Sequence, residues 1–381
     1  MNGLSWWLLV SFAGAVLIPG LGFVLLSISE KERTAAGRGL LVTLVGTSLV
    51  LSGLVLEETG QWILIASILS ALMAGVILLF IPIGKTEAEK GQPAQQVDER
   101  EIIFARARLE PGSENYQRYY EKHPQHKEPD DQARSQPGLL NPAAKLADHL
   151  HSAAAAGSFT LTEALREAVD GPPGKDPYPA DPELFTCAVK KLAFFYGALD
   201  CGVAALKPSH IYSHIGRGSG TYGDTIQLDQ PFAIAFTVEM SAEMTAAAPH
   251  PPITMESARQ YVESARVAVQ LAAAIRELGY PARAHIDGNY RVIAPLVARE
   301  AGLGEIGRMG LLMTPRHGPR VRLGLVTTTM PLIPDGYKPD ESTLDFCNIC
   351  EKCAINCPSQ SIPYGKREID NGVLRWKIKP E

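Results

Sequence analysis

Four of the six cysteines stand in one short run, Cys347, Cys350, Cys353 and Cys357, with Pro358 directly after it. Gaps of two, two and three residues ending in Cys-Pro are the spacing with which a bacterial-type ferredoxin loop wraps a cubane cluster. Zinc also takes thiolates, but it normally draws on two separated pairs of Cys or His. The run therefore predicts a [4Fe–4S] site and one-electron chemistry. In two-cluster domains the fourth Cys ligates the neighbouring cluster, so a second run would be needed. None comes before Glu381. Three readings stay open: the chain is a fragment, one cluster uses all four local thiolates, or Cys187 or Cys201 completes a site from a distance. Otherwise those two read as small buried apolar residues.

A second stretch with chemical potential is AGLGEIGRMGLLMTPRHGPRVRL, residues 301–323. Gly302, Gly304 and Gly307 formally match G-x-G-x-x-G, which must follow a strand and open a helix. Here Ala294–Ala301 has a helical pattern, and Gly310, Pro315, Gly318 and Pro319 interrupt the residues after the motif. Nicotinamide binding is not expected. The glycines are read instead as letting backbone pass close to a large flat ligand, and Arg308 is counted with them as a cofactor-binding candidate. His210 and His214, four apart among Pro, Ser and Gly, read as loop residues, and Asp148, His149 and His151 as a solvated helix end. No Ser-His-Asp or Cys-His arrangement points to a hydrolase.

The elements that must position these residues fall into distinct regions. Residues 1–84 hold three apolar segments, Leu4–Ile28, Gly39–Leu56 and Trp62–Ile83, none with a charged residue or His. Each is long enough to cross a ~30 Å hydrocarbon layer at ~1.5 Å rise per residue. They predict an N-terminal three-helix transmembrane anchor, with no imidazole to carry a haem. Lys31, Arg33 and Arg38 in the first loop, and Lys85 and Lys90 after the third helix, place those segments in the cytoplasm by the positive-inside rule; loop 57–61 carries no base. The expected setting is a multi-pass protein of the cell membrane with its soluble body in the cytoplasm. Net charge is -5 and pI ≈ 6.0, so nothing in the charge asks for a nucleic-acid partner.

Residues 85–96 read as a flexible linker and 97–141 as a solvated, partly helical arm that Phe104, Tyr116, Tyr119 and Tyr120 could pin to a domain surface. From 142 onward helices and strands alternate. Segments 142–170 and 181–199 have helical periodicity, 231–239 and 321–328 read as strands, and the clearest helix is Met255–Leu278, with Thr254 as N-cap and Gly279 as stop. On that helix Tyr261 shares the inward stripe with Ala265, Ala268, Ala272 and Ile275, opposite Arg259, Glu263, Arg266, Gln270 and Glu277. The pattern predicts an α/β layered body over 142–337, followed by a cysteine module over 338–381.

Taken together, the glycine stretch, the strand with VTTTMPL, the run CNICEKCAINCPSQSI and the arm VDER…FARARLEPGSENYQRYYEKHP…DDQAR…PGLL resemble the corrinoid-dependent reductive dehalogenases over about residues 97–381. That resemblance implies a nitroreductase-like cobalamin-binding domain, a ferredoxin-like module with one or two [4Fe–4S] clusters, and reductive removal of halogen from an organohalide with electrons from an unidentified donor. It also implies roles: Tyr261 as proton donor to carbon, Arg322 (with Arg320 the other possibility) as the active-site arginine, and Asn289 beside them. A guanidinium near a phenol favours phenolate. Many members carry a twin-arginine export signal; this chain has no Arg-Arg pair and a fused anchor. The related epoxyqueuosine reductases, which act on a tRNA base, share the glycine stretch and the cysteine run but lack the arm. They are one alternative, and a non-catalytic membrane-bound electron carrier is another.

Overall fold

The computed structural model describes residues 3–30, 32–80, 93–179 and 181–379. The chain divides into two compact units, Met1–Gly84 and Lys85–Glu381.

In the first unit, α1 (Leu4–Ser29), α2 (Arg33–Ser52) and α3 (Glu58–Phe80) include three spans long and apolar enough to cross a membrane. Helix α1 packs on both others. Glycines let it approach α2 closely: a Cβ on Gly20 would fall 2.2 Å from Thr43 Oγ1, and one on Gly39 2.6 Å from the Phe23 ring. Small residues at such crossings are how apolar helices pack without a hydrophobic driving force. Ser5 Oγ donates to Gln61 Oε1 at 2.6 Å, so a buried polar pair joins α1 to α3. Arg33 and Arg38 lie within α2, not in the expected loop, because the helix begins six residues before the apolar run. Lys31, Lys85, Lys90 and the expected end of the third span at residues 81–83 lie outside the described residues, as do 85–92 of the expected linker.

The second unit begins with contacts where a free linker was expected. Ala94 N donates to Asn371 O at 2.9 Å, and Gln95 and Asn371 exchange two further bonds. The arm then folds into α4 (Ile103–Arg106), α5 (Glu114–Lys122) and α6 (Pro124–Ser135). Tyr116, Tyr119 and Tyr120 bury against Leu109 and Tyr222, while Phe104 stays exposed. Inside the arm, Arg106 grips Asp130 through Nε at 2.9 Å and Nη2 at 3.1 Å, and Tyr120 Oη donates to the same carboxylate at 2.8 Å. Glu99, fully buried, ties the arm to the body by accepting from Gly216 N at 2.9 Å, Arg217 N at 3.1 Å and Arg217 Nε at 3.1 Å.

The body contains α7 (His149–Ala164), α8 (Pro182–Phe195), β1 (Asp200–Ala205), β2 (Phe232–Glu239), α9 (Ala242–Ala246), α10 (Pro252–Glu277), β3 (Ala282–His285), α11 (Ala294–Glu300), the short β4 (Glu305–Ile306) and β5 (Leu312–Met313), and β6 (Val321–Thr328). Four strands form one sheet in the order β1-β2-β6-β3. Every pair in it is antiparallel, so the layers of helix and sheet are present without the parallel strands that regular α/β alternation would give. Ile234, Phe236, Val238 and Val326 face the core beneath α10, whereas Ala233, Ala235 and Leu325 face the one beneath α11. Cover on both faces explains why FAIAFTV is apolar throughout rather than alternating. Helix α10 starts at Pro252 with Pro251 as N-cap, so Thr254 lies inside it. Proline suits the first turn, where its missing N–H has no intrahelical acceptor. Gly279, at φ +85°, stops the helix as expected.

The chain closes with α12 (Glu341–Cys350), α13 (Lys352–Ile355), β7 (Glu368–Asp370) and β8 (Val373–Arg375). Removing one partner of a buried ion pair costs about 3–5 kcal/mol. Asp130→Ala strands Arg106 in the arm, where both side chains are nearly covered. Amide hydrogen exchange across residues 97–135 is expected to accelerate by at least tenfold while β2 and β6 stay protected; an unchanged arm would show that this pair does not hold it.

Candidate functional site

Two centres emerge from the second unit. The first forms where α10 crosses β6. Arg322, second residue of β6, places its guanidinium carbon 4.3 Å from the centroid of the Tyr261 ring. Stacking of this kind is worth about 0.5–2 kcal/mol and fixes both side chains. Tyr261 is half-buried. Burial pushes its phenol above the usual tyrosine value, and Arg322 pulls in the other direction with the smaller effect. The guanidinium alone would favour phenolate; desolvation outweighs it, so the phenol is a weaker acid than an ordinary tyrosine. Tyr290, which sequence reasoning passed over, belongs to the same cluster. Its phenol is pushed up by burial, then by the neighbouring Tyr261 and Asp287. Its position directly after Asn289 was the only signal for it.

Asn289 is completely buried on the turn after β3. Its Oδ1 accepts from Arg283 Nη2 at 2.8 Å and from Ser219 Oγ at 3.2 Å. This fixes the amide orientation and leaves Nδ2, buried, with no partner among the described residues. Arg322 Nε is in the same state. Buried donors are rarely left unpaired, so these two mark where a ligand group would be accepted. The turn itself is held by His285. Its Nδ1 accepts from Arg291 N at 3.1 Å, which makes Nε2 the protonated nitrogen, 2.9 Å from Thr327 Oγ1. Burial and the nearby Arg283 and Arg291 hold this imidazole neutral, far below the ordinary histidine range.

The second centre is the cysteine run. Helix α12 ends at Cys350, Glu351 takes a left-handed conformation at φ +50°, and α13 begins at Lys352. This reversal brings the chain around between Cys350 and Cys353. Cys347 is buried, while Cys350, Cys353 and Cys357 are partly open. Hydroxyls of Ser359 at 3.3 Å and Ser361 at 3.6 Å lower the Cys357 thiol to about 6. Among the described residues no three Cys, His, Asp or Glu side chains already converge as a metal-ligand set, these sulfurs included. What fits a cluster is the all-thiolate donor set and the path of the chain around it.

Arg308 joins this centre to the body. It is 1% exposed and donates to Cys347 O at 3.0 and 2.8 Å, to Pro363 O at 2.9 Å and to Gly365 O at 2.8 Å. Trp376 lies 5.0 Å from its guanidinium carbon. Gly302, Gly304 and Gly307 open no helix; they lead into the β4–β5 hairpin. A Cβ on Gly304 would fall 2.2 Å from Met313 O, and one on Gly307 2.7 Å from Met313 Cγ and 3.4 Å from Cys347 Sγ. The space these two glycines leave is therefore taken by protein.

The remaining candidates sit apart. Arg320 pairs with Glu239 at 2.7 Å at the strand end. His210 Nδ1 accepts from Lys207 N, and His214 faces Asp98 at 3.3 Å, so the two imidazoles serve different contacts. Asp148 caps α7 by accepting from His151 N at 2.9 Å. Cys201 is buried as expected, but Cys187 is exposed, on the outer side of α8.

No family model matches the chain. Residues of this chain are 38% identical over 148 positions to the tetrachloroethene reductive dehalogenase of Sulfurospirillum multivorans, covering 37% of this chain and 29% of that protein. They are 39% identical over 134 positions to the enzyme of the same name from Desulfitobacterium hafniense, 35% of this chain and 24% of the relative. A shorter match, 38% over 66 residues, links 17% of the chain to 16% of the epoxyqueuosine reductase of Listeria monocytogenes. In structure, the catabolic reductive dehalogenase NpRdhA in complex with 3-bromo-4-hydroxybenzoic acid superposes with a TM-score of 0.61 at 25% identity, covering 79% of this chain and 40% of that one. The chain thus spans less than a third of the curated relatives it matches. Within that span, sequence and fold agree: the chain is similar to the reductive dehalogenases in both.

Proposed function

We propose that this chain carries the proton-donating half of an oxidoreductase that replaces carbon-bound halogen by hydrogen. The observation that carries this reading is the Tyr261–Arg322 pair, a phenol made a weaker acid by burial with a cation stacked on its ring. When bound, a corrinoid would supply the low-valent cobalt that breaks a carbon–halogen bond, and iron–sulfur clusters on Cys347, Cys350, Cys353 and Cys357 would supply electrons singly. The net change consumes two electrons and one proton and releases halide. The chain's own contribution is that proton. Tyr261 Oη donates it as negative charge grows on carbon, and Arg322 stabilises the phenolate left behind. Asn289, with its oxygen fixed by Arg283 and Ser219, offers Nδ2 to the bound reactants. Gly302 and Arg308 support the cofactor region from the hairpin side.

Supporting this, the relatives with the longest matches are reductive dehalogenases, and the match to an epoxyqueuosine reductase is less than half as long. Tyr261→Phe removes the donor and is expected to lower halide release from an aryl bromide, with a reduced viologen as electron source, about 10²–10⁴-fold. Arg322→Met removes the larger of the two cationic influences on Tyr261, Arg322 and Arg217, that favour phenolate. The Tyr261 phenol then moves still higher, so the neutral-pH rate falls and the alkaline limb of the pH–rate profile shifts to higher pH. Full activity in Tyr261→Phe would rule out this donor.

Iron binding has its own test. Anaerobically reconstituted protein is expected to hold about four iron and four sulfide per cluster and to lose them in Cys347→Ala. Zinc in their place would exclude the redox reading. The three apolar helices would anchor this enzyme in the cell membrane with the second unit in the cytoplasm, since Arg33 and Arg38 sit at the end joining α1 to α2. Protease added to spheroplasts should leave residues 97–379 intact; their digestion would reverse the orientation.

A further inference from the structure

Arg308 carries a charge that its contacts do not require. Its side chain is 1% exposed, and its four hydrogen bonds end on three backbone carbonyls, Cys347 O, Pro363 O and Gly365 O. A carbonyl needs only an N–H. The neighbouring Trp376 shows this, because its uncharged indole Nε1 donates to the same Gly365 O at 3.1 Å. A guanidinium in this place adds the cost of desolvating a cation.

That charge is only partly offset. Glu351 Oε1 stands 3.4 Å from Arg308 Nη2, farther than a close charge-assisted hydrogen bond. The same oxygen accepts from Gly365 N at 2.7 Å, so it serves two donors. Glu351 is 30% exposed where Arg308 is 1%, and water screens the carboxylate more than the cation. On the other side, the buried Trp376 ring lies 5.0 Å from the Arg308 guanidinium carbon and 5.6 Å from that of Arg367.

The residue held in this field is Cys347. Two of the four hydrogen bonds end on its carbonyl. Gly307, directly before Arg308, runs so close to its sulfur that a Cβ there would fall 3.4 Å from Sγ. In every arrangement open to the cysteine run, Cys347, Cys350 and Cys353 hold the same cluster. Reducing that cluster adds one electron, taken from a one-electron donor, and breaks no bond to the thiolates. The reduced form therefore carries one more negative charge. A buried cation beside a ligand favours that form, and a nearby carboxylate opposes it.

We propose that Arg308 and Glu351 set the reduction potential of the cluster on Cys347, Cys350 and Cys353, the guanidinium raising it and the carboxylate holding it back. This rests on reading the run as an iron–sulfur site. Neither residue is a ligand; both act on the cluster through its surroundings. The charge at Arg308 thus has a use that a neutral donor to the same carbonyls could not supply.

Full-length protein in detergent is reconstituted anaerobically with iron and sulfide, then titrated with dithionite in the presence of viologen mediators. Electron paramagnetic resonance follows the reduced cluster. In Arg308→Gln the potential should fall, so that the oxidised-to-reduced ratio at the wild-type midpoint rises about tenfold or more, about 59 mV for a one-electron couple. Arg308→Lys keeps the charge without the fork and should stay within about threefold of the wild-type ratio. Glu351→Gln should move the potential the opposite way, lowering that ratio about threefold, and raised salt should weaken this shift more than that of Arg308→Gln. Unmoved midpoints in both Gln variants, shifts of the same sign, or a Lys variant that moves as far as Arg308→Gln overturn the inference. Should Arg308→Gln not retain its iron, the sign of the Glu351→Gln shift decides alone: upward supports the inference, and no shift or a downward one overturns it. Iron and sulfide analysis keeps the two proposals apart. Wild-type protein that takes up no cluster sinks the iron–sulfur reading and this inference with it, whereas a full cluster with potentials indifferent to both charges sinks only the inference.

Discussion

Strand β6 is the constraint on which the body depends. It lies between β2 and β3 and is covered by α10 on one face and by α11 on the other. A strand buried on both sides has no room for charge along its middle, and Gly324 through Val326 carry none; a Cβ on Gly324 would sit 2.2 Å from the Phe236 ring. Charge is possible only where the cover runs out. That is where Arg322 lies, and where α10 brings the Tyr261 ring over it. The same packing that forms the core therefore leaves a phenol and a guanidinium facing each other at its margin, desolvated enough for the phenol to shift upward despite the cation.

Buried charge recurs as the means of joining parts that share little apolar surface. Glu99 binds the arm to the loop at Gly216 and Arg217. Arg308 binds the glycine hairpin to the cysteine module through four hydrogen bonds to three backbone carbonyls. Such matching of the charged group by several partners makes its burial tolerable. An apolar joint would tolerate sliding, whereas a guanidinium fork fixes position. If, as proposed, the cysteine module holds a redox centre at a set place relative to a reaction site, that fixity matters more than net stability.

On the proposed reading the two centres divide the chemistry between them: the phenol site would manage a proton and the cysteine run electrons. His285 belongs to neither, yet it shapes the turn carrying Asn289 and Tyr290 by bonding to Arg291 N and Thr327. A neutral, fully buried imidazole serves here as a rigid spacer between β3 and β6.

The amino-acid sequence by itself determined whatever rests on local chemistry or on period. Cysteine spacing, the three apolar spans, strand 231–239 and the inward stripe of α10 through Tyr261 all come from residues within a few turns of one another. The glycine motif's failure to open a helix was legible too, from the helical run before it and the prolines after it. Tertiary structure decided the rest, because the cause lay far along the chain. The antiparallel order β1-β2-β6-β3 depends on connections that period cannot reveal. The upward shift of the Tyr261 phenol depends on burial outweighing Arg322, and sequence shows only the arginine. Cys187 lies exposed because α8 turns that side outward. Arg108 and Arg166, separated by 58 positions in sequence, meet over Gly288 only once the arm has docked. Long-range burial sets electrostatics, and no local pattern of residues encodes it.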